Sequence, residues 1–533
     1  MWSIDFWRFV GGCSVLFFVS IVVEAAGVKE VSSATARLIG HSPEILDLAG
    51  LEKHSRGGTS AEPWSGSFWP DILGGIANHY RDRTKTWSQV RFGLRYDVAR
   101  QGLIRDHEEV LRNWERFTRE ELNQKLSPSE KYDLLLGNRD FRFTRAILEE
   151  LEFRARHLRK SKLRDGGEAE EEDPLLTPRY SDEDASYAVV DRAVEYRYWK
   201  VRRDSLSYWF GICDGWAPAS IYLPRPIRPV TVRSMTGREI TFFPDDLKAL
   251  GSYLFSRTNT DSFSTMNYRF TGRPCPDRGS PRRDREGRVR DFRCQDVDAG
   301  LFHLVLVNRI GLDRMGFMMD VDNNHKINNH PVGSYRSVWL NPNSGQEGSL
   351  HESVVDLNRR LDPPWMRRHP EARRLLGVRT LVSYRHYHWP EDRRSYETDS
   401  VADDRVREVE YEYELEIDAS GKVVGGEWRS SEQPDFLWMA DQKSLPYSEQ
   451  SVYALPKDVK GDWAWDGLGP VPTDWLRAAS LDAAWSPPVV GVQGRGTRNR
   501  KPVHPESARN ALLRPAQPLS HLVYYLFDQS SMR

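Results

Sequence analysis

The chain lacks most of the features that assign a protein to a class at a glance. Its 533 residues include only four cysteines, none in a CxxC pair, which removes the usual signature of a redox dithiol or a thiolate zinc knuckle. Charge of either sign is not in excess: 76 basic residues stand against 77 acidic ones, for a net charge of −1. That balance gives no reason to expect a nucleic-acid partner or a polybasic membrane patch. Beyond the N-terminal stretch no run approaches the roughly 18 apolar residues of a spanning helix. There is no Gly-rich phosphate loop and no N-x-S/T sequon. What is abundant is core material, 39% hydrophobic and 11% aromatic residues, enough for two to four domains or for one large domain with extensions.

The N-terminus is read first because it sets the compartment. Val10 to Val23 is mostly apolar, Arg8 precedes it, and small residues follow at Ala25-Ala26-Gly27. The run is short for a membrane span and reads as a secretory signal peptide over residues 1–26. A secreted protein with no membrane segment after signal removal is the expectation. Removing Cys13 with the signal leaves Cys213, Cys275 and Cys294, an odd number in an oxidising compartment. Cys275 and Cys294 enclose a loop rich in Arg, Asp, Gly and Pro, and a bridge between them would restrain it. Cys213 would then be a free thiol; a bridge from Cys213 to either of the others is the alternative.

Taken in order, residues 27–60 are rich in Ser, Gly and His and read as a linker or propeptide. The aromatic stretch from Trp64 to Trp69 opens ordered structure, as core packing rather than a sugar-stacking platform. Helical patterns dominate residues 105–163, with a capping box at Ser127-Pro128-Ser129-Glu130 and a stop at Gly137. An acidic loop over 166–180 separates this helical part (61–165) from a core over 181–445 that starts with a helix capped by Ser181. Strands are predicted at Val230-Thr231-Val232, Glu239 to Phe243, Val378 to Tyr384 and Glu410 to Ile417, the last turning at Asp418 to Gly421 into Lys422 to Trp428. A helix led by Pro244 lies among them. Residues 446–533 form a Pro- and Trp-rich extension with one apolar segment, Leu519 to Phe527.

The chemistry concentrates at Tyr208-Trp209-Phe210-Gly211-Ile212-Cys213-Asp214-Gly215-Trp216-Ala217-Pro218. A cysteine among glycines ahead of small residues suits a nucleophile at the mouth of a helix. The free N–H groups of the first turn would lower its pKa, and Pro218 predicts a helix start near Trp216. Downstream, Gly300 to Val307 and Gly316 to Asp322 read as two strands of a hairpin. With its turn at Gly311-Leu312, that hairpin sets His303 opposite Asp320. Nucleophile, base and orienter are thereby expected at Cys213, His303 and Asp320.

The ordered set of stretches Trp69-Pro70 with Gly74-Gly75-Ile76-Ala77, Ser127 to Asp133, Gly211 to Ala219, Gly300-Leu301-Phe302-His303, Phe317 to Asp320, Asn329-His330-Pro331-Val332 and Tyr413 to Ile417 resembles the secreted transglutaminases of the oomycete elicitor type. That resemblance implies an α+β fold, a helical N-terminal part packed on a cysteine-protease-like catalytic core with an antiparallel sheet. It implies a Cys213 thioester formed from a glutamine carboxamide and resolved by a lysine amine, with protein substrates carrying Gln and Lys as partners. Trp209 and Trp216 are candidates to wall the substrate channel. A cysteine hydrolase (deamidase or peptidase) with the same triad, and a non-catalytic wall or adhesion protein, are the alternatives. The chain departs from the family pattern at Asp214, which puts an acid beside the nucleophile. Activity in the family is linked to calcium, so calcium is a possible cofactor, although Asp320-Val321-Asp322-Asn323-Asn324 is not an EF-hand: position six is His325 and position twelve Pro331. His386 and His388 alternate along a strand without an obvious third ligand and read as surface or rim histidines.

Overall fold

The computed structural model describes residues 31–80, 96–149, 151, 210–234, 236–260, 268–272, 297–321, 327–359, 362, 368–388, 397–430, 432–440 and 520–532. The helices that matter here are α1 (Val31–Ile39), α2 (Leu48–Lys53), α3 (Tyr96–Asn113), α4 (Arg119–Lys125), α5 (Pro128–Leu135), α6 (Cys213–Tyr222), α7 (Pro244–Thr260), α8 (Ala299–Val305) and α9 (Ser520–Ser531). The strands are β1 (Arg56–Gly58), β2 (Val230–Arg233), β3 (Glu239–Phe242), β4 (Tyr268–Gly272), β5 (Phe317–Asp320), β6 (Asn329–Leu340), β7 (Glu347–Gly348), β8 (Val354–Asp356), β9 (Arg374–His386), β10 (Arg405–Ile417), β11 (Val423–Trp428) and β12 (Phe436–Ala440).

Ten of these strands form one antiparallel sheet in the order β11–β10–β9–β6–β5–β12–β4, with β1 and β7 added to β6 and β8 to β9. The hairpin β10–β11 follows the alternation of its sequence. Tyr411, Tyr413, Leu415 and Ile417 are buried, and Gly421 takes a positive φ of 94° in the turn. The two-stranded β2–β3 ribbon, with Gly237 at φ 79°, and α7 after it also lie where the pattern puts them. So does the capping box of α5. Ser127 Oγ accepts from Glu130 N, Ser127 N donates to the Glu130 carboxylate, and Pro128 fills the first helical position.

Three expectations fail. Residues 31–58 are not a linker: Val31, Leu38, Ile39, Ile45 and Leu51 are buried in one core with α8, and β1 pairs with β6. The segment predicted as the first hairpin strand is helix α8 followed by a π-helical turn, Leu306–Leu312. Asp298 caps it, accepting from Leu301 N at 2.9 Å. Every residue from Ala299 to Ile310 is buried, so hydrophobic periodicity carries no signal that would separate helix from buried strand. Gly300 fixes its position, because a Cβ there would stand 2.5 Å from the Gly425 carbonyl oxygen of β11. Helix α6 begins at Cys213, not near Trp216, and takes Pro218 inside it. The proline forgoes only the bond to the Asp214 carbonyl in the first turn. The aromatic stretch, by contrast, is core as expected: Trp64, Phe68 and Trp69 are all buried.

The sheet has a core on each face. On one side α1 and α8 cover Phe317, Met319, Leu437 and Tyr413; on the other α6 lies over Met318, Phe436 and Trp438. Beyond α6 a further core joins α4, α5, α6, α7, the β2–β3 ribbon and α9. Helix α9 carries the apolar segment of the C-terminal extension, and Leu522, Val523, Leu526 and Phe527 are fully buried. Phe527 stacks on Trp64 at 6.4 Å between ring centroids and closes over Gly251 of α7. The Ser181 helix, residues 1–26 and both Cys275 and Cys294 lie outside the described residues. Phe527→Ala is expected to cost about 3–5 kcal/mol, the usual range for emptying a buried phenylalanine site. A shift of the denaturant midpoint at unchanged m-value measures it.

Candidate functional site

Cys213 is the first residue of α6, after a short extended segment tied down by Ile212 N donating to Phe68 O at 2.7 Å and Asp71 N donating to Phe210 O at 2.8 Å. Gly211 permits that approach, since a Cβ would lie 2.4 Å from the Phe68 carbonyl oxygen. Gly215 does the same one turn on: a Cβ there would meet Ser252 O of α7 at 1.9 Å. The thiol is free and buried.

Three strands converge on it. In β5 and β6, Asp320 is paired with Asn329, and across β5 and β12 Asp320 is paired with Phe436. Side chains alternate between the faces of a strand, so Met318 and Asp320 lie on the face that α6 covers, and Phe317 and Met319 on the other. Asn329 Nδ2 donates to Cys213 Sγ at 3.5 Å, and the thiol donates to Ile327 O at 3.8 Å. Trp438 Nε1 of β12 donates to Asn329 Oδ1 at 2.7 Å. The Asp320 carboxylate accepts from Asn328 N at 3.3 Å.

The electrostatics run against the expected thiolate. Burial pushes the Cys213 thiol up to about 12, the Asp214 carboxylate adds to that, and Asp320 adds a smaller push, while Asn329 pulls the other way. A helix N-terminus favours the anion, but here it is outweighed by desolvation and two nearby carboxylates. Asp214 is held by Ser256 Oγ of α7 at 3.1 and 3.2 Å.

Cys213 and Asp320 are therefore brought to the same face, and His303 is not brought to them. The predicted His303–Asp320 pairing across a hairpin does not exist: His303 sits on α8, on the sheet's other face. Its Nδ1 bonds the Tyr413 hydroxyl at 2.7 Å, which continues through Thr380 Oγ1 to Ser337 Oγ at 2.7 and 2.8 Å. Burial lowers its pKa to about 3. The imidazole that meets α6 is His330, next in sequence to Asn329. Its ring lies edge-on to Trp216 at 6.1 Å and stacks on His386 and Tyr387. His330 Nδ1 bonds Arg385 O at 3.2 Å, which leaves Nε2 as the unprotonated nitrogen, and burial lowers its pKa to about 3, as it does that of His303. Trp216 is fully buried between these rings and Gly66, a packing role rather than an open channel wall; Trp209 lies outside the described residues.

The expected rim histidines divide: His386 ends β9 in the stack just described, and His388 is buried just beyond it. Asp322 and Asn324 lie outside the described residues. Among the described residues, no three His, Cys, Asp or Glu side chains group to hold a metal ion. Sequence reasoning quoted Asn329 without a role and missed Trp438.

The family model for transglutaminase elicitors matches residues 181–453, just over half of the chain, a span that includes Cys213, Asp320, Asn329 and Trp438. The chain belongs to the transglutaminase elicitor family. Among solved structures it is similar to the GP42 transglutaminase from Phytophthora sojae, at 19% identity and a TM-score of 0.44, over 78% of this chain and 92% of that one. No curated protein matches it. No helix among the described residues of this family member is long and apolar enough to cross a membrane.

Two measurements check the thiol's state. The rate of Cys213 alkylation by iodoacetamide should rise about tenfold per pH unit from pH 7 to 10, since a thiol pushed up to about 12 is still far from half-ionised there. Asp214→Asn removes an anion that disfavours the thiolate and should speed alkylation at pH 8 by roughly severalfold.

Proposed function

We propose that the chain is a secreted protein-glutamine γ-glutamyltransferase that forms glutamine–lysine isopeptide bonds through a thioester at Cys213. The observation that carries this reading is the thiol itself: free, buried, at the first residue of a helix, contacted by a side-chain amide, and inside the span matched by the transglutaminase family model. As Cys213 Sγ bonds to the carboxamide carbon of a glutamine, its proton passes to a base, and the same proton leaves with the amide nitrogen as ammonia. A lysine amine then attacks the thioester, forms the isopeptide bond and returns the thiol. Burial of the sulfur favours an amine over water in that second step.

His330 is the base in this reading, in place of His303. Supporting it are its contact with Trp216 on the helix that carries Cys213 and a tautomer fixed by the Arg385 carbonyl. Asp320 stabilises positive charge developing on the nucleophile's face of the sheet. Secretion follows from the signal-like N-terminus, and the partners are proteins presenting Gln and Lys side chains.

The test is incorporation of a fluorescent primary amine into a glutamine-bearing protein by the purified mature chain. Cys213→Ala should abolish it. His330→Asn should lower kcat by about 10²–10⁴-fold, the worth of a positioned base, whereas His303→Asn should stay within about tenfold of the parent. The reverse ranking would return the base to His303. Cys213-dependent ammonia release without amine incorporation would make the protein a deamidase.

A further inference from the structure

A thiol that attacks a carboxamide leaves a second charge to be managed, on the former carbonyl oxygen. We infer that Asn329 is a catalytic residue whose side-chain amide Nδ2 donates to that oxyanion, with Trp438 as the positioning residue that aims it. The inference rests on the acyl-transfer reading of Cys213.

An asparagine side chain can present either its oxygen or its nitrogen to a neighbour. Here the choice is fixed chemically. The Trp438 indole nitrogen is only a donor, and it stands 2.7 Å from Asn329 Oδ1, so the amide oxygen is claimed and the NH₂ must face Cys213 Sγ, 3.5 Å away. Asn329 and Trp438 are both buried, which removes competing water and strengthens a donor aimed at developing charge. Both groups sit on regular strands. Asn329 opens β6, in register with Asp320, and Trp438 lies in β12, in register with Met318. A donor held this way needs little reorganisation when charge appears.

The atoms locate the role. When Sγ bonds to the carboxamide carbon, the carbon–oxygen π pair moves onto oxygen, and that oxygen is one bond from the atom attached to Sγ. A donor already touching Sγ is within hydrogen-bond reach of it. As the tetrahedral species collapses, the pair returns, the carbon–nitrogen bond breaks, and ammonia leaves with the proton that came from the thiol. Asn329 exchanges no proton and no electron in either step; it only holds charge.

Iodoacetamide alkylation separates this role from simple activation of the thiol, because displacement of iodide by sulfur forms no oxyanion. In the full mature chain, Asn329→Ala is expected to lower kcat for amine incorporation by 10²–10³-fold with KM within about threefold, while Cys213 alkylation slows by no more than about fivefold. Trp438→Phe removes the indole N–H and keeps most of the ring. It should lower kcat by about tenfold at an alkylation rate near the parent's, which also reports a folded site. A fall in kcat under tenfold for Asn329→Ala, or alkylation falling as far as kcat, overturns the inference. A Cys213-dependent burst of p-nitrophenolate from p-nitrophenyl acetate gives a second acylation readout. If the parent shows the burst but incorporates no amine, transamidation falls and Asn329 is judged by the burst alone. If the parent shows neither, both readings fall.

Discussion

The close contact between α6 and α7 at Gly215 is the constraint on which the site depends. Two helix backbones can approach so closely only where one of them has no side chain, and a carbonyl of α7 occupies the place a Cβ would take. With α6 pressed against α7, the opposite side of α6 meets Met318, Phe436 and Trp438 of the sheet, and Cys213 is set level with the ends of β5 and β6. Ser256 of α7 reaches the Asp214 carboxylate in the same contact. The placement of the sulfur beside Asn329 is thus decided two residues away, by backbone packing.

A buried charge network holds the other end of α7. Lys248 Nζ bonds Asp399 at 2.9 Å and the Ser65 carbonyl at 2.7 Å; Arg225 joins Asp399 to Asp404, and Arg385 of β9 joins Asp404 to Glu62. Buried ion pairs add little net stability over well-packed apolar groups, but removing one partner is costly. The network links the end of α6, α7, the segment before β10 and the aromatic stretch around Trp64 through contacts that have few acceptable rearrangements. It serves the arrangement of the parts more than the total free energy.

How much of this was legible follows from what each residue pattern can encode. Local rules carried the α5 capping box, the β2–β3 ribbon, the start of α7 and the β10–β11 hairpin, because turn glycines, caps and period-two alternation act within a few residues. Cys213 at a helix mouth was legible for the same reason. His303 was misplaced because a segment buried on all sides reads alike as strand or helix, and the assumed hairpin then generated a partner for it. The Ser, Gly and His of residues 27–60 suggest a linker or propeptide, although Val31, Leu38 and Leu51 carry the burial. The roles of Asn329 and Trp438 depend on β5, β6 and β12 lying side by side, which is long-range information. The same holds for Glu414 and Glu416 in β10: alternation predicts a solvated face, and Arg368 folds over them instead.

Helix α9 has a consequence for the order in which the molecule can assemble. Its residues close over α7 and Trp64, and Ser530 Oγ donates to the carbonyl of Arg228, 302 positions earlier. A ribosome delivers α6 long before the segment that covers its neighbour exists, so the core behind Cys213 stays open throughout most of synthesis. Contacts between such distant residues carry a large loop-closure cost and form slowly. A polypeptide whose core cannot close early remains threadable, and the surroundings of Cys213 are not assembled while the chain is still being made.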